Sequence, residues 1–183
     1  MAKVLVPLAA GFEELEAITV IDLLRRAGFE VITAGLDDQP VRASRQNVII
    51  PDTSIGKVMD QQFDLIVLPG GLPGADHLRD DPNVQALVRK QYDSGKTVGA
   101  ICAAPRALVS AGILDGKTIT CYPGALDQVD TSAFNITDNS VEIDGNVVTS
   151  RGPGTAMDFA LTLIETLAGR DLRNKVEDQL VRN

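Results

Sequence analysis

The amino-acid sequence predicts a single α/β domain in which a mostly parallel β-sheet carries helices on both faces. Strand and helix signals alternate along the chain, and parallel strands that follow one another in this way need crossover helices. Ala, Val, Ile, Leu and 16 Gly dominate the composition, whereas aromatic residues make up only 4%, which is typical of buried parallel strands. The length of 183 residues suits one domain, so we predict that residues 1–183 fold as one unit.

The first half of the chain is predicted to contain three main strands and one long helix. The apolar run Lys3–Leu8 predicts a buried strand, and Glu13–Ala27 carries apolar residues at helical spacing. Glu30–Ala34 predicts a second strand, and Val41–Ile50 predicts an extended excursion that a Pro-Asp pair closes. Asp64–Leu68 predicts a further apolar strand, which ends at a Pro-Gly-Gly turn.

The second half is predicted to continue the alternation and to end in helices. Proline at the first position and glycine after the last one delimit two of its helices. An Asp-Gly pair between two short extended runs predicts a β-hairpin. The predicted helices are Pro82–Asp93, Pro105–Ala111, Gly154–Ala168 and Leu172–Val181, and the predicted strands are Thr97–Ile101, Thr118–Cys121, Ser140–Asp144 and Asn146–Ser150.

The charge balance and the scarcity of histidine and cysteine exclude several functional classes. With 17 Lys and Arg against 25 Asp and Glu, the net charge of −8 argues against nucleic acid or an anionic membrane as the main partner. One histidine, His77, and two cysteines, Cys102 and Cys121, are too few for a structural zinc site or a disulfide framework. No secretory signal and no apolar run of about 20 residues is found, so we expect a soluble, cytoplasmic protein without a metal.

Cys102 lies where a predicted strand changes to a helix. Ligands of open α/β sheets bind beyond the carboxyl ends of the strands, which directs attention to the turns after Leu8, Leu68 and Ile101. The small residues around Cys102 fit a sharp turn that presents a nucleophile, and the following helix N-terminus would favour a thiolate. The alternative is a buried apolar cysteine, which is common for a free thiol.

Glu16 is a carboxylate on the predicted apolar face of the first helix. At 100° per residue it falls between Leu23 and Ala27, inside the apolar arc. Burial would raise its pKa, so that Glu16 would hold or share a proton and pass it to a substrate at Cys102. The alternative is an acid near the helix start that accepts hydrogen bonds from backbone amides.

Two glycine-containing turns are candidates for the walls of the same site. The segment Pro69–Gly74 can aim backbone N–H groups at an oxyanion, although it can equally be a plain turn. The segment Ser150–Thr155 precedes the predicted helix Gly154–Ala168. It is either a loop with a helix cap or an anion-facing wall of the cleft that includes Arg151.

Four motifs together resemble the ThiJ/PfpI superfamily over nearly the whole chain. They are ELEAITVIDLLRRAG with Glu16, LPGG at Leu68–Gly71, AICAAP around Cys102, and TSRGPGTAMDFAL near the C-terminus, in the order of that family. Within it the sequence is most similar to the branch of Parkinson-associated protein deglycases and their bacterial relatives. The resemblance implies a flavodoxin-like three-layer sandwich and a homodimer with the cleft near the subunit interface.

The resemblance also implies an activity without a cofactor. Family members are credited with converting methylglyoxal to lactate without glutathione, with removing methylglyoxal adducts from protein side chains, and with acting as redox sensors or chaperones. The implied substrates are therefore small dicarbonyls or glycated side chains. The implied site residues are Cys102 as the oxidisable nucleophile, Glu16 as the acid bonded to it, Gly70, Gly71 and Ala103 as backbone donors, and Arg26 and Arg45 as interface arginines.

Tyr122, a candidate cleft or interface residue, departs from the pattern of the animal members, which carry histidine at this position. A tyrosine can donate a hydrogen bond but cannot shuttle protons near neutral pH, so a Cys-His-Glu triad does not carry over. We expect His77 at the surface and Cys121 near the cleft as a packing or a resolving thiol. Two hypotheses remain open: an enzyme of small dicarbonyls, and a stress sensor whose Cys102 oxidises to sulfinic acid. A protease is disfavoured, because no histidine follows Cys102.

Overall fold

A computed structural model describes residues 1–182. Its strands are β1 (Lys3–Leu8), β2 (Glu30–Gly35), β3 (Val41–Arg42), β4 (Val48–Ile49), β5 (Thr53–Ser54), β6 (Leu65–Leu68), β7 (Thr97–Ile101), β8 (Thr118–Thr120), β9 (Asn135–Thr137), β10 (Val141–Asp144) and β11 (Val147–Ser150). Its α-helices are α1 (Glu14–Arg26), α2 (Gly74–Asp80), α3 (Pro82–Asp93), α4 (Pro105–Ala111), α5 (Ala156–Ala168) and α6 (Arg170–Gln179).

A seven-stranded sheet in the order β10-β11-β7-β6-β1-β2-β5 forms the centre of the molecule. Every neighbouring pair is parallel except the hairpin β10–β11. Strands β1, β6 and β7 lie side by side, with Val4 opposite Leu65 and Ile66 opposite Val98. Their carboxyl ends therefore meet at one edge, and the predicted mostly parallel sheet is confirmed.

Helices cover both faces of this sheet. Val4, Val6 and Leu8 of β1 belong to a core that also contains the apolar faces of α1 and α5. Leu5, which points the other way, belongs to a second core with α3 and α4. Successive side chains of a strand alternate between its two faces, so one apolar strand serves both cores. The predicted flavodoxin-like, three-layer arrangement is confirmed.

The extended excursion predicted over Val41–Ile50 is a short hairpin instead. Only β3 and β4 pair in it, with Val41 opposite Ile49, and the tight turn between them is closed by the Ala43 N–H, which donates to the Asn47 carbonyl at 2.8 Å. The turn directs residues 43–47 back toward the sheet. The short elements α2, β5 and β9 were not predicted, and α6 begins at Arg170 rather than Leu172.

Within residues 1–182 no helix combines the length and the apolar character needed to cross a bilayer.

Candidate active site

The turns after β1, β6 and β7 converge as predicted. The Gly70 carbonyl accepts a hydrogen bond from the Glu13 N–H at 2.9 Å, which ties the turn after β6 to the start of α1. Backbone N–H groups of Gly71 and Ala103 both donate to the Cys102 sulfur. These contacts bring the thiol of Cys102, the first turn of α1 and the glycine turn into one site.

Cys102 is held in an uncommon backbone conformation between two neighbouring segments. Its φ of 64° lies in the left-handed region, which costs energy for a residue with a Cβ. The Cys102 N–H donates to the Ser150 carbonyl and its own carbonyl accepts from the Tyr122 N–H, each at 2.9 Å. The thiol is largely buried but faces a cleft, so both the nucleophile and the buried-cysteine alternatives describe part of its environment.

Glu16 is fully buried beside this thiol. Its Oε2 accepts the Gly70 N–H at 2.8 Å, whereas its Oε1 has no hydrogen-bond partner within residues 1–182. Burial raises the pKa of Glu16 to about 7, against the hydrogen bonds from Cys102 and Gly70, and the nearby charge of Glu13 adds to the rise. The sequence-based expectation of a core-facing acid that holds its proton near neutral pH agrees with this geometry.

The expectation that the helix N-terminus favours a thiolate at Cys102 is wrong for the resting site. Burial raises the pKa of Cys102 to about 12, and the Glu16 carboxylate adds to the rise through its charge and its hydrogen bond. The N–H groups of Gly71 and Ala103 oppose this rise without cancelling it. The pair therefore loses one proton near pH 7 and keeps the other, so that a thiolate forms only when Glu16 takes the thiol proton.

The glycines of the turn after β6 are required by close approach. A Cβ added to Gly70 would lie 2.6 Å from the Cys102 Cβ and 2.7 Å from Glu16 Oε2. Gly71 has a φ of +86°, and a Cβ there would lie 2.3 Å from the Glu13 nitrogen. The Gly70 N–H donates to Glu16 and is therefore not available to the Cys102 sulfur. Of the three predicted backbone donors, only Gly71 and Ala103 donate to the sulfur.

The thiol opens onto a cleft of about 340 Å³. Arg45 and Tyr122, two of the predicted cleft or interface residues, lie in its wall. Glu13 also lines the cleft, although no role was predicted for it, because an acid at the start of a helix is common. The complete lining is Glu13, Ser44, Arg45, Gly71, Leu72, Cys102, Ala103, Tyr122 and Pro153.

Glu14 fixes the turn that forms one side of the cleft. Its carboxylate accepts the Arg45 N–H at 2.9 Å, the Ser44 hydroxyl at 3.0 Å and the Asn47 side-chain amide at 2.8 Å. Burial raises the pKa of Glu14, but these bonds and its own N–H outweigh burial and lower the pKa to about 2. This role of Glu14 was not predicted from the sequence, because its partners lie 30 to 33 positions away along the chain.

Two predicted residues lie outside the cleft. Arg26 sits at the exposed end of α1, where its Nε donates to Asp22 at 2.7 Å. Arg151 follows β11 and pairs with Asp138 in a neighbouring pocket, which Cys121 and Tyr122 also line. The expectation that Arg151 forms a wall of the Cys102 cleft is therefore wrong, although Pro153 of the same segment does line that cleft.

The single histidine, His77, and the second cysteine, Cys121, do not line the Cys102 cleft. His77 is exposed, as predicted, and its Nδ1 is 3.0 Å from the Ala10 carbonyl oxygen. Cys121 is buried and belongs to the core opposite that of Cys102, which suits the predicted packing role. Within residues 1–182 no three His, Cys, Asp or Glu side chains converge as metal ligands.

Comparisons with known proteins agree on one family. The sequence model described as DJ-1/PfpI family matches residues 2–166. Protein dj-1beta of Drosophila melanogaster is 44% identical over 178 residues, covering 97% of this chain and 95% of the relative. Its crystal structure covers 100% of this chain and 98% of its own, with a TM-score of 0.95 and 42% identity.

Two further relatives carry names that bear on chemistry. Glutathione-independent glyoxalase DJR-1.2 of Caenorhabditis elegans is 38% identical over 164 residues, covering 90% of this chain and 87% of the relative. A structure named Toxoplasma gondii DJ-1, oxidized, is 38% identical with a TM-score of 0.92, covering 99% of this chain and 98% of its own.

Proposed function

The chain belongs to the DJ-1/PfpI family, and on this premise we propose that it is a cysteine-dependent glyoxalase that converts methylglyoxal to lactate without glutathione. One observation carries the proposal: the buried Glu16 carboxyl, with a pKa of about 7, is hydrogen-bonded to the Cys102 thiol at the base of an open cleft. A similar name is carried by the Caenorhabditis elegans relative. By the same chemistry, cleavage of methylglyoxal adducts of amines would make the protein a deglycase.

The first step is addition of the thiol to the aldehyde carbon of methylglyoxal. Glu16 accepts the thiol proton as the carbon–sulfur bond forms, and the carbonyl oxygen becomes an oxyanion. The N–H groups of Gly71 and Ala103, which already point at the sulfur, are placed to stabilise that oxyanion. Glu16 then returns the proton to the oxyanion, which gives a neutral hemithioacetal on Cys102.

The second step moves a proton between the two carbons of the hemithioacetal. The Glu16 carboxylate removes the proton from the former aldehyde carbon, which gives an enediolate, and the hydroxyl proton on that carbon moves to the former ketone oxygen. Return of the proton from Glu16 to the former ketone carbon then gives a lactoyl thioester of Cys102. The aldehyde carbon is oxidised as the ketone carbon is reduced, so no external oxidant is needed. Water then hydrolyses the thioester, which releases lactate and restores the thiol.

Lactate formation by purified variants tests this proposal. We expect wild-type protein to form lactate from methylglyoxal, Cys102→Ala to form none, and Glu16→Gln to lose at least about 100-fold in rate, since general acid–base catalysis contributes that much or more. Cys121→Ala is the matched control, because it removes a thiol that faces the opposite core, and it should keep the wild-type rate. Wild-type lactate formation by Cys102→Ala would contradict the proposal.

A second candidate is a stress sensor whose Cys102 oxidises to sulfinic acid without physiological turnover. The orphaned Oε1 of the fully buried Glu16 favours it, because a protonated carboxyl there can donate to a sulfinate oxygen. Intact-mass spectrometry after mild peroxide should show two added oxygens that map to Cys102. Oxidation of Cys121 first, or of both thiols equally, would contradict this candidate. Chaperone action by the oxidised protein would be a further consequence of the sensor role.

We also propose a homodimer, built from the exposed apolar side chains of α1 and α5. These two helices pack against each other, and Leu15, Ile18 and Met157 on them are 53%, 42% and 45% exposed. Exposed apolar groups on neighbouring helices are typical of an association surface. Arg26 lies in the last turn of α1, and its predicted place at the interface stays a prediction. The cytoplasmic location expected from the sequence stays a prediction.

A further inference from the structure

A small pocket that the proposed chemistry does not use lies at the amino ends of the central strands. It encloses about 120 Å³ between α3 and the segments that lead into β6 and β7. Phe63, two residues before β6, and Lys96, one residue before β7, both line it. The glycine turn and Cys102 follow the carboxyl ends of the same two strands. This amino-end pocket is therefore separate from the Cys102 cleft.

The inner wall of the amino-end pocket is apolar and buried. Phe63, Ile66 and Leu87 form it, and all three belong to the core that contains α3 and α4. A cavity of roughly 150 Å³ lined by side chains of this kind stays free of water and holds a molecule of benzene. The amino-end pocket thus has the size and the surface to take a single apolar ring.

Gln91 adds an unpaired hydrogen-bond acceptor to this apolar lining. Its side chain is buried, and its Nε2 donates to the Phe63 and Thr97 carbonyls, each at 3.2 Å. Because both partners are acceptors, the amide nitrogen is fixed on them and Oε1 faces elsewhere. Within residues 1–182 Oε1 accepts no hydrogen bond, and it is not among the side-chain atoms closed off from solvent. Since Gln91 lines the pocket, we take the pocket as the route by which a donor reaches this oxygen.

The charges around the pocket favour a neutral donor at Gln91. Lys90 and Lys96 line the pocket, whereas no carboxylate within residues 1–182 does. Lys96 is paired with Asp64 at 3.1 Å, and Lys90 Nζ donates to the Met59 carbonyl at 3.3 Å. A cationic guest would meet two like charges, and a carboxylate guest has no proton to donate to an amide oxygen. A hydroxyl on an apolar ring satisfies both conditions.

We propose that the amino-end pocket binds a small neutral molecule of the phenol class, with one apolar ring and one hydroxyl. The ring lies against Phe63, Ile66 and Leu87, and the hydroxyl donates to Gln91 Oε1. This binding site goes beyond the proposed function and does not depend on it, because no residue of the Cys102 cleft takes part. Lactate formation and phenol binding can therefore fail independently of each other.

Two probes of nearly the same shape test the site. Phenol and toluene are titrated separately into wild-type protein, and binding is followed through backbone amide chemical shifts. Toluene reports on the apolar wall alone, whereas phenol also needs a partner for its hydroxyl, which is costly to bury unpaired. We expect saturable shifts centred on residues 61–66 and 87–96 with both probes.

Gln91→Met tests the hydrogen bond, because it removes the acceptor and keeps a side chain of similar length. Phenol affinity should fall about tenfold, as for a hydroxyl left without a partner, and toluene affinity should stay within about twofold. Gln85→Met is the matched control, since Gln85 is a second buried glutamine of α3 that does not line the pocket. It should leave the binding of both probes unchanged.

Leu87→Trp tests the cavity itself, because the larger side chain would occupy the space of the ring. Both probes should then lose their saturable shifts, while filling of an empty cavity should leave the melting temperature close to that of the wild type. Absence of saturable shifts in residues 61–66 and 87–96 of the wild type would overturn the inference. Equal losses of phenol and toluene affinity in Gln91→Met, or undiminished phenol affinity there, would also overturn it.

Discussion

At the scale of single residues, the buried carboxyl of Glu16 links the chemistry of the site to the stability of the protein. The same burial that raises its pKa to about 7 makes its charged form costly to keep in the folded state. A group with a raised pKa in the folded state binds its proton more tightly there than in the unfolded chain. The contribution of protonated Glu16 to the free energy of unfolding is therefore complete below about pH 4.5 and is lost as pH rises through 7.

Glu16→Gln is expected to raise the melting temperature at pH 8 and to leave it nearly unchanged at pH 4.5. The amide keeps an oxygen acceptor for the Gly70 N–H but cannot ionise, so the cost of a buried charge disappears. The shift from 4.5 to about 7 corresponds to a gain of up to about 3 kcal/mol at pH 8. Thermal unfolding at the two pH values measures it, with Glu30→Gln on the exposed end of β2 as the control. Equal gains at both pH values would contradict the assigned pKa.

The residues of the site differ in how far the sequence could predict them. Cys102 and Glu16 were predictable, because a thiol after an apolar strand and an acid on an apolar helix face both break a local pattern. Glu13 and Glu14 break no pattern, since acids are common in the first turn of a helix. Their roles depend on Ser44 and Arg45, which only the folded hairpin β3–β4 brings to α1.

At the scale of elements, the site is held together by contacts between turns rather than within them. The turn after β6 has space for hydrogen alone at Gly70, because Cys102 and Glu16 approach it from two other elements. The turn after β3 is held from α1 by Glu14. Substitutions in either turn should therefore disturb the geometry of the site more than they disturb the rest of the fold.

Gly70→Ala is expected to destabilise the protein by about 1–3 kcal/mol, as overpacking does, and to reduce activity strongly. The added methyl group would lie 2.6 Å from the Cys102 Cβ, so the thiol must move away from Glu16. Gly56→Ala is the matched control, because a Cβ at Gly56 meets no atom within 4 Å. Denaturant unfolding and lactate formation measure the two effects. Wild-type values for Gly70→Ala would show that the turn can open without cost.

Glu14→Gln is expected to loosen residues 43–47. The amide nitrogen of glutamine would face the donors of Arg45 or Asn47, and loss of bonds to a charged acceptor costs about 1.5–3 kcal/mol each. Hydrogen exchange of the Arg45 amide should become at least about tenfold faster. In the wild type the stabilisation by the ionised Glu14 carboxylate is complete above about pH 4.5 and is lost as pH falls toward 2. Unchanged Arg45 exchange in Glu14→Gln would argue against this stabilisation.

The elements themselves show why part of the fold escaped prediction from the sequence. The central strands and α1, α3 and α5 have strong periodic patterns or clear end signals. Helix α2 has seven residues, begins at a glycine and follows a proline-glycine turn, so no period can develop in it. Strand β9 has three mostly exposed residues and exists only because it pairs with β8.

At the scale of the whole molecule, the site lies close to the surface that we propose as the dimer interface. Helix α1 supplies Glu14 and Glu16 to the site, its N-cap residue Glu13 lines the cleft, and Leu15 and Ile18 are exposed on its outer side. The Cys102 cleft and the exposed apolar side chains therefore lie on opposite sides of the same helix. Association through α1 would fix the helix that positions the acid.

Ile18→Asp is expected to convert the dimer to a monomer. A charge placed in a desolvated apolar interface costs several kcal/mol, which is enough to shift a micromolar or weaker association by orders of magnitude. Sedimentation velocity measures the oligomeric state. Ile143→Asp on the edge strand β10 is the control, because Ile143 is 55% exposed and lies at the far edge of the sheet. A monomeric wild type, or a dimer that survives Ile18→Asp, would argue against this interface.

Engineering for heat resistance would tend to remove the reactive residue. Glycine is the residue best suited to the left-handed backbone at position 102, where the φ of 64° is unfavourable for cysteine. A substitution ranking based on backbone preference would thus favour Cys102→Gly, and libraries screened for folding alone would enrich for an inert protein. Position 102 should be held constant in any such library, and each round should be screened for turnover.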